Sequence, residues 1–288
     1  MSALRFTEVV SLAVLAFSAA MVARGGREAL RRFALEAALI GVAAWVAEDL
    51  CIRWFGFYAY PEGWALKLDR VPLLVGAIWP FVILSARGVV LFLLGPRSAS
   101  PLQVAALTGL LIIFDAALVE PVAVRAGLWA WSEPGVFQVP PIGIVGWGVF
   151  GAVCTLCLEL PRTGGPGLRT MLPLLPLVAP LAANGLLVIL WWSGFRWVLR
   201  GEWPLPAALA ASLGASALFL YIARRHRASA SLELMLPRGS GALLFFCLLG
   251  AHFAPGLAAY AVCFAPPYVW ITRWRAPATA RAGLGAAS

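Results

Sequence analysis

Residues 102–131 read LQVAALTGLLIIFDAALVEPVAVRAGLWAW, and this stretch decides the fold of the chain. An apolar run long enough to cross a bilayer carries two carboxylates, Asp115 and Glu120, towards its end. An ionisable side chain at that position is costly, so it usually marks a functional site. Because Pro121 lacks an N–H and its ring opposes a continuing helix, the sequence predicts that the helix kinks or ends beside Glu120. The stretch therefore predicts a membrane protein with an acidic site at one membrane face.

The composition extends this interpretation to the whole chain. Of 288 residues, 62% are hydrophobic and only 12% are charged. A soluble domain of this size does not need so much apolar surface, whereas a polytopic membrane protein does. The net charge of +9 comes from arginines in short gaps between apolar runs, where the positive-inside effect and anionic lipids account for it. We therefore expect the lipid bilayer as a partner, and no nucleic acid.

The hydropathy pattern predicts an all-α fold, a polytopic transmembrane helical bundle of about eight helices. These helices form a single integral-membrane domain over residues 1–288. The last span holds Pro255, Pro266 and Pro267, so we expect it to be kinked or broken. The predicted spans are 8–23, 33–55, 71–94, 102–124, 140–160, 168–192, 204–223 and 241–270.

Arginines concentrate in the first and seventh predicted connections, which places these loops on the cytoplasmic side and both termini outside. The second and fourth loops share the opposite face, because two crossings separate them. The arginines used here are Arg24, Arg27, Arg31 and Arg32 in the first loop, and Arg224, Arg225, Arg227 and Arg238 in the seventh.

Carboxylates and aromatic residues converge on the face that carries the second and fourth loops. Tyr58, Tyr60, Trp129 and Trp131 also fit an aromatic belt at the lipid headgroups, and that alternative stays open. The candidate catalytic residues are Asp115, Glu120 and Glu48, and the candidate substrate-binding residues are Tyr58, Tyr60, Trp79, Trp129, Trp131 and Trp147.

The carboxylates on this face are expected to play different roles. Asp115 has apolar neighbours on both sides, so its neutral form is favoured and it suits a general acid. Glu120 lies nearer the interface and is expected to stay ionised, where it orients water or stabilises positive charge. Asp49 is interpreted as the partner of Arg53 at a solvated helix end. Two further acids near membrane boundaries, Glu36 and Glu159, are interpreted as anchored to nearby arginines.

Other motifs are weak. Cys154 and Cys157 have a C-x-x-C spacing but lie inside an apolar helix, where redox or zinc chemistry lacks a reachable thiolate. The sequence contains no glycine-rich phosphate loop and no histidine cluster. We therefore expect no cofactor and no metal ion.

Two groups of residues resemble the signatures of a known family, the integral-membrane carotenoid biosynthesis proteins. Glu48, the run FGFYAY at 55–60 and Trp79 resemble its first signature; residues 114–123, 127–131 and 139–147 resemble its second. The family includes bacterial carotenoid 1,2-hydratases and the archaeal bisanhydrobacterioruberin hydratase. The likeness covers about 36–151, the motif-bearing core. Gly143 stands where that pattern is expected to have an asparagine, and Asp115 and Glu120 are slightly further apart than expected.

The resemblance implies a carotenoid biosynthesis enzyme of the bacterial cytoplasmic (inner) membrane, with a polyene substrate and other carotenoid-pathway enzymes as candidate partners. The chemistry most consistent with the residues is a cofactor-independent hydratase, a hydro-lyase that protonates a terminal isoprenoid double bond through a carboxyl group. Its substrate would be a linear or monocyclic carotenoid. Isomerisation or cyclisation of the end group by the same acid is an alternative. A non-catalytic protein that binds or moves a lipid or polyene is another, although no internal repeat typical of a transporter is evident.

Overall fold

The computed structural model describes residues 2–95, 99–163, 172–196, 201–224 and 230–271. Its long helices are α1 (Ala3–Ala23), α2 (Arg27–Phe55), α3 (Leu73–Leu94), α4 (Pro101–Arg125), α5 (Pro141–Thr163), α6 (Leu175–Leu190), α7 (Leu205–Arg224) and α8 (Leu232–Ala251). Two short helices follow, α9 (Pro255–Val262) and α10 (Ala265–Ile271). Between the helices lie the two-residue strands β1 (Tyr58–Ala59), β2 (Lys67–Leu68), β3 (Val71–Pro72) and β4 (Ala130–Trp131).

The all-α polytopic bundle is confirmed, with one correction to the eight predicted spans. Over the described ranges, seven helices are long and apolar enough to cross a bilayer. The second predicted span, α2, has 29 residues but is not one of the seven, because it carries more charged residues than they do. The eighth is broken as expected, yet its first part begins at Leu232 rather than at residue 241. The short helices α9 and α10 make up the remainder.

Four charged residues of α2 form ion pairs near the two ends of the helix. Arg32 Nε donates to Glu36 Oε1 at 3.1 Å, and Arg53 Nε donates to Asp49 Oδ2 at 2.6 Å. Between these pairs, Ile40 lies fully buried. Paired charges and a buried apolar middle suit a helix whose main neighbours are α3 and α6.

An ionic cluster joins α2, α3 and α5 away from the acidic site. Arg87 donates to Glu159. Arg162 contacts both acids: its Nη2 lies 3.0 Å from Glu36 Oε1, and its Nη1 lies 3.2 Å from Glu159 Oε1. Glu36 and Glu159 are therefore bound by arginines, as the sequence predicted. Removing one member would leave a buried charge unpaired, so the cluster helps to fix the three helices against each other.

Glycines set the closest helix crossings. A Cβ at Gly41 of α2 would lie 3.3 Å from the carbonyl oxygen of Gly76 in α3, and one at Gly109 of α4 would lie 2.7 Å from that of Gly148 in α5. Small residues at crossings let helix backbones approach closely in membranes. The α4–α5 pair, which carries Glu120 and Trp147, is the most extensive helix contact in the described chain.

Helix α4 continues through Pro121 to Arg125, so it does not end beside Glu120, and the alternative of a kink there stays a prediction. A proline inside a helix leaves the carbonyl four residues earlier without its usual partner. Here that carbonyl belongs to Ala117, and the Tyr260 hydroxyl of α9 donates to it at 2.9 Å. Tertiary packing thus satisfies the group that Pro121 frees, and the helix carries Glu120 onward without a break.

The second and fourth loops pair directly, which confirms that they lie on one face. Strand β1 pairs antiparallel with β4, with Tyr58 opposite Trp131 and Ala59 opposite Ala130. Gly56, at a φ of 61°, ends α2 in the left-handed conformation that favours glycine and turns the chain into β1. The loops between α2 and α3 and between α4 and α5 are therefore one structural unit.

One loop assignment must be corrected. Arg238 was counted among the arginines of the seventh connection, but it lies within α8, which starts after the Ser231 cap. Arg225 and Arg227 lie outside the described residues. The orientation of the bundle across the membrane stays a prediction.

Candidate functional site

An apolar cavity of about 480 Å³ lies between the paired loops and the helices α1–α6, α8 and α10. Its size is within the range of small-molecule sites, and its walls are mostly hydrophobic, as such sites usually are. All nine residues singled out from the sequence line it: Glu48, Asp115, Glu120, Tyr58, Tyr60, Trp79, Trp129, Trp131 and Trp147. The structure therefore brings the whole predicted set together.

Glu48 is held by three aromatic hydrogen-bond donors. The Tyr58 and Tyr60 hydroxyls donate to Oε2, the second over 3.0 Å, and Trp79 Nε1 donates to Oε1 over 2.9 Å. The pKa of Tyr58 and of Tyr60 lies well above the usual value for a phenol, mainly because both side chains are buried. The nearby charge of Glu48 raises both pKa values further. Both loop tyrosines therefore keep their protons at neutral pH and act as donors.

Glu120 has an equivalent environment on α4. Trp129 Nε1 and Trp131 Nε1 donate to its Oε2 over 2.7 and 2.9 Å, and Trp147 is a third hydrogen-bond partner. The residue is only 2% exposed. The first two indoles come from the loop that begins after α4, so the chain folds back to cover its own carboxyl.

The donors of the two carboxyls are paired ring against ring. Tyr58 packs against Trp131 with centroids 4.8 Å apart, and Tyr60 against Trp129 at 6.1 Å. Trp79 packs against Trp147 at 4.8 Å. Each pair joins a donor of Glu48 to a donor of Glu120. We call these six aromatic residues the aromatic double cage.

Neither caged carboxyl has a basic partner. In the part of the chain that the structure describes, no arginine or lysine forms an ion pair with Glu48 or Glu120. The two are close enough for their charges to repel each other. Because no cation is paired with either carboxyl, ionisation of both in one apolar cavity is strongly disfavoured.

Asp115 differs from the lone, neutral carboxyl that the sequence suggested. It forms an ion pair with Arg238 of α8 and accepts a hydrogen bond from the Tyr268 hydroxyl of α10. Arg238 Nη1 also donates to Ser85 Oγ over 3.3 Å, and its side chain is only 6% exposed. A buried arginine stabilises the ionised form of the aspartate beside it. Asp115 therefore lines the cavity as half of an ion pair.

Sequence reasoning missed Arg238, Tyr268 and Ser85 as cavity residues. Arg238 was assigned to a loop because the eighth predicted span begins only at residue 241. A cap signal was present, since Ser231 Oγ accepts a hydrogen bond from the Leu234 N–H. Only the tertiary structure brings these residues from α3, α8 and α10 to Asp115.

Gly143 makes room for one wall of the double cage. A Cβ there would lie 2.6 Å from Cη2 and Cζ2 of the Trp131 ring, too close for a real side chain. A glycine is thus required where Trp131 turns towards Glu120.

The described residues contain no group of three His, Cys, Asp or Glu side chains that could hold a metal ion. Cys154 is fully buried in α5, and neither it nor Cys157 is among the residues that line the cavity. The charged groups that line the cavity are the two caged carboxyls and the Asp115–Arg238 pair.

An integral membrane bundle with an acidic, aromatic and otherwise apolar cavity is the class of protein that these observations define. The model of the carotenoid biosynthesis protein family matches residues 7–235, and the chain belongs to that family. The match extends on both sides of the segment 36–151 in which the sequence signatures lie. Comparison with curated proteins finds no match, and neither does comparison with solved structures.

Proposed function

We propose that this membrane protein hydrates a terminal isoprenoid double bond of a linear or monocyclic carotenoid, without a cofactor. The observation that carries the proposal is the aromatic double cage, which holds two buried carboxyls without a cation at one apolar cavity. Protonating an alkene requires a strong acid in a dry site, and the resulting cation requires negative charge or aromatic faces nearby. The caged carboxyls and their six aromatic neighbours supply both.

Glu120 is the proton donor in this proposal. Its three partners, Trp129, Trp131 and Trp147, are indoles, which donate hydrogen bonds but cannot accept them. A protonated Glu120 therefore finds no acceptor among them for its own proton, which is left for the substrate. Once the proton has gone, the same three N–H groups stabilise the carboxylate.

Glu48 stays ionised and stabilises the cation. Its two tyrosine hydroxyls and one indole N–H all donate to it, as a carboxylate requires. Its negative charge lies across the cavity from Glu120, and the aromatic faces between them favour positive charge.

The reaction balances with water as the only second substrate. The Glu120 proton forms a C–H bond at the terminal double bond and leaves a tertiary carbocation. Water then forms a C–O bond to that carbon, and the proton it loses returns to Glu120. The net change is the addition of one water, and the enzyme returns to its starting protonation state.

The Asp115–Arg238 pair has a different role, because the arginine keeps the aspartate ionised. It fixes α8 and α10 against α3 and α4 along the cavity wall. On this wall, Phe246 and Val269 line the cavity yet are 38% and 57% exposed. An apolar polyene would enter there from the lipid of the membrane, which we propose is a bacterial cytoplasmic membrane.

Pigment analysis in a bacterial host that makes lycopene tests the function. A product heavier than lycopene by one water supports hydration. An unchanged mass with altered absorbance indicates isomerisation or cyclisation instead, and unchanged pigment with normal protein levels indicates a protein that only binds a polyene. Each of the last two outcomes would overturn the hydratase.

A further inference from the structure

Asn184 of α6 is a buried polar residue that the proposed reaction has not used so far. It is 2% exposed and lines the cavity. Its Nδ2 donates to the carbonyl oxygen of Pro180 over 3.0 Å and to that of Ala47 over 3.4 Å. Ala47 directly precedes Glu48, so Asn184 is tied to the backbone beside one of the caged carboxyls.

These two contacts fix which way the amide points. Both neighbours of Nδ2 are carbonyl oxygens, which can only accept, so the NH₂ group must face them and Oδ1 must face away. Oδ1 is buried and has no hydrogen-bond partner among the described residues. An unpartnered buried acceptor is destabilising, and a bound water or a role in the reaction is among the reasons why a native structure keeps one.

We propose that Asn184 Oδ1 accepts a hydrogen bond from an O–H group inside the cavity, and that during the reaction this group is the attacking water. The inference rests on the proposed function and deepens it. A water held by Oδ1 is oriented before the carbocation forms, which makes its capture faster than that of a freely moving water. Asn184 is therefore a positioning residue, while Glu120 and Glu48 act on the polyene.

This role has a chemical signature that a structural role would lack. The cation formed by Glu120 has two fates: capture by water gives the alcohol, and loss of a neighbouring proton gives back an alkene. In D₂O the second fate returns a polyene that carries deuterium or a moved double bond. Without the acceptor of Asn184, protonation continues while capture becomes less efficient.

The experiment uses the full-length protein in liposomes that contain lycopene, in D₂O. The ratio of deuterated or isomerised polyene to hydrated product is measured by mass spectrometry and absorbance. Asn184→Leu removes the acceptor and should raise this ratio about tenfold. Asn184→Ala serves as a second variant in case the bulky leucine disturbs folding.

Thr155→Val is the matched control. Thr155 Oγ1 is also buried and without a hydrogen-bond partner in the described chain, but the residue does not line the cavity. Its replacement should leave the ratio unchanged. Equal losses of hydration and deuterium incorporation in Asn184→Leu would overturn the assignment of the attacking water to Asn184.

A binding measurement distinguishes the two sources of the O–H group. Lycopene and the tertiary alcohol formed by its hydration are titrated against tryptophan fluorescence in wild type and Asn184→Leu. An unchanged product ratio with selectively weaker binding of the alcohol would assign the O–H donor to the polyene's hydroxyl. Unchanged ratio and unchanged binding would overturn the inference. This arm does not need turnover, whereas a wild-type protein that yields no hydrated lycopene overturns the proposed function itself.

Discussion

Tyr58 and Trp131 lie opposite each other in the pairing of β1 with β4, and each donates a hydrogen bond to a different buried carboxyl. Their ring centroids are 4.8 Å apart. The donor of Glu48 and the donor of Glu120 are thus a single packed pair, positioned by the register of two short strands. A substitution at either ring should therefore affect the hydrogen bonds of both Glu48 and Glu120.

This contact predicts that Tyr58→Phe and Trp131→Phe have non-additive effects on conversion. Tyr58→Phe keeps its ring but removes its hydrogen bond, and Trp131→Phe removes the indole N–H. Residues in direct contact typically show coupling of about 0.5–3 kcal/mol in double-mutant cycles. The rate of lycopene conversion in both single variants and the double variant measures the coupling.

A cycle between Tyr58 and Trp129 is the control. The ring of Trp129 packs against Tyr60 rather than Tyr58, although it donates to the same Glu120 oxygen as Trp131. The effect of Trp129→Phe on the rate of conversion should therefore be closer to additive with that of Tyr58→Phe. Equal coupling in both cycles would show that the two carboxyls communicate without the Tyr58–Trp131 contact.

A second prediction concerns the proton donor. Glu120→Gln removes the proton but can keep an oxygen facing Trp129 and Trp131, so the protein should fold while conversion is lost. Asp115→Asn should retain conversion per folded molecule, because Arg238 already holds that aspartate ionised. Protein level in the membrane and pigment mass are measured together. If Asp115→Asn is inactive and Glu120→Gln is active, the sequence-based assignment of the acid to Asp115 is the correct one.

A third prediction concerns the Asp115–Arg238 ion pair: removing one partner should destabilise the protein more than replacing both. Breaking a buried ion pair by removing one partner typically costs about 3–5 kcal/mol, whereas apolar replacement of both is often neutral. Asp115→Leu and Arg238→Met should each lower the unfolding temperature in detergent, and the double variant should recover most of the loss.

Glu62→Gln provides the comparison for this ion-pair prediction. Glu62 also pairs with a basic residue, Lys67, at 3.0 Å, but its side chain is 92% exposed. Its loss should leave the unfolding temperature nearly unchanged, as for most surface pairs. A double variant at Asp115 and Arg238 no more stable than the worse single variant would contradict the interpretation.

The sequence predicted which residues line the cavity, but it did not predict the ion pair of Asp115 with Arg238. Two membrane spans separate the loops that carry Tyr58 and Trp131, and an even number of spans returns the chain to the same face. That count alone was enough to predict that the two residues lie on one face. The state of Asp115 depended on Arg238, which is 123 residues away and contacts it only through packing of α8 against α4. No local pattern around Asp115 carries that information.

The same limit explains the helix boundaries that differ. Hydropathy favours helices with few charged residues, whereas α2 carries charged residues that pair along the helix and with α5. Pro121 was expected to kink or end α4, since its local effect is to free a carbonyl. The Tyr260 hydroxyl that donates to this carbonyl belongs to α9, and no sequence pattern near Pro121 predicts the contact.

The last prediction tests the packing that turns Trp131 towards Glu120. Gly143→Ala would place a methyl group 2.6 Å from the Trp131 ring, which is held on its other side by Tyr58. The ring must move, and its 2.9 Å hydrogen bond to Glu120 should weaken or break. Because hydrogen bonds to charged groups are worth about 1.5–3 kcal/mol, conversion should fall about tenfold to a hundredfold, as in Trp131→Phe.

Gly146→Ala is the matched control for Gly143→Ala, one turn further along α5. Its new Cβ would lie 3.6 Å from the Leu187 side chain, an ordinary van der Waals contact, so conversion should stay close to wild type. Both variants make the same chemical change in the same helix, so a general effect on helix stability would reduce both alike. Equal loss in the two variants, or normal conversion in Gly143→Ala, would mean that the position of Trp131 does not control the reactivity of Glu120.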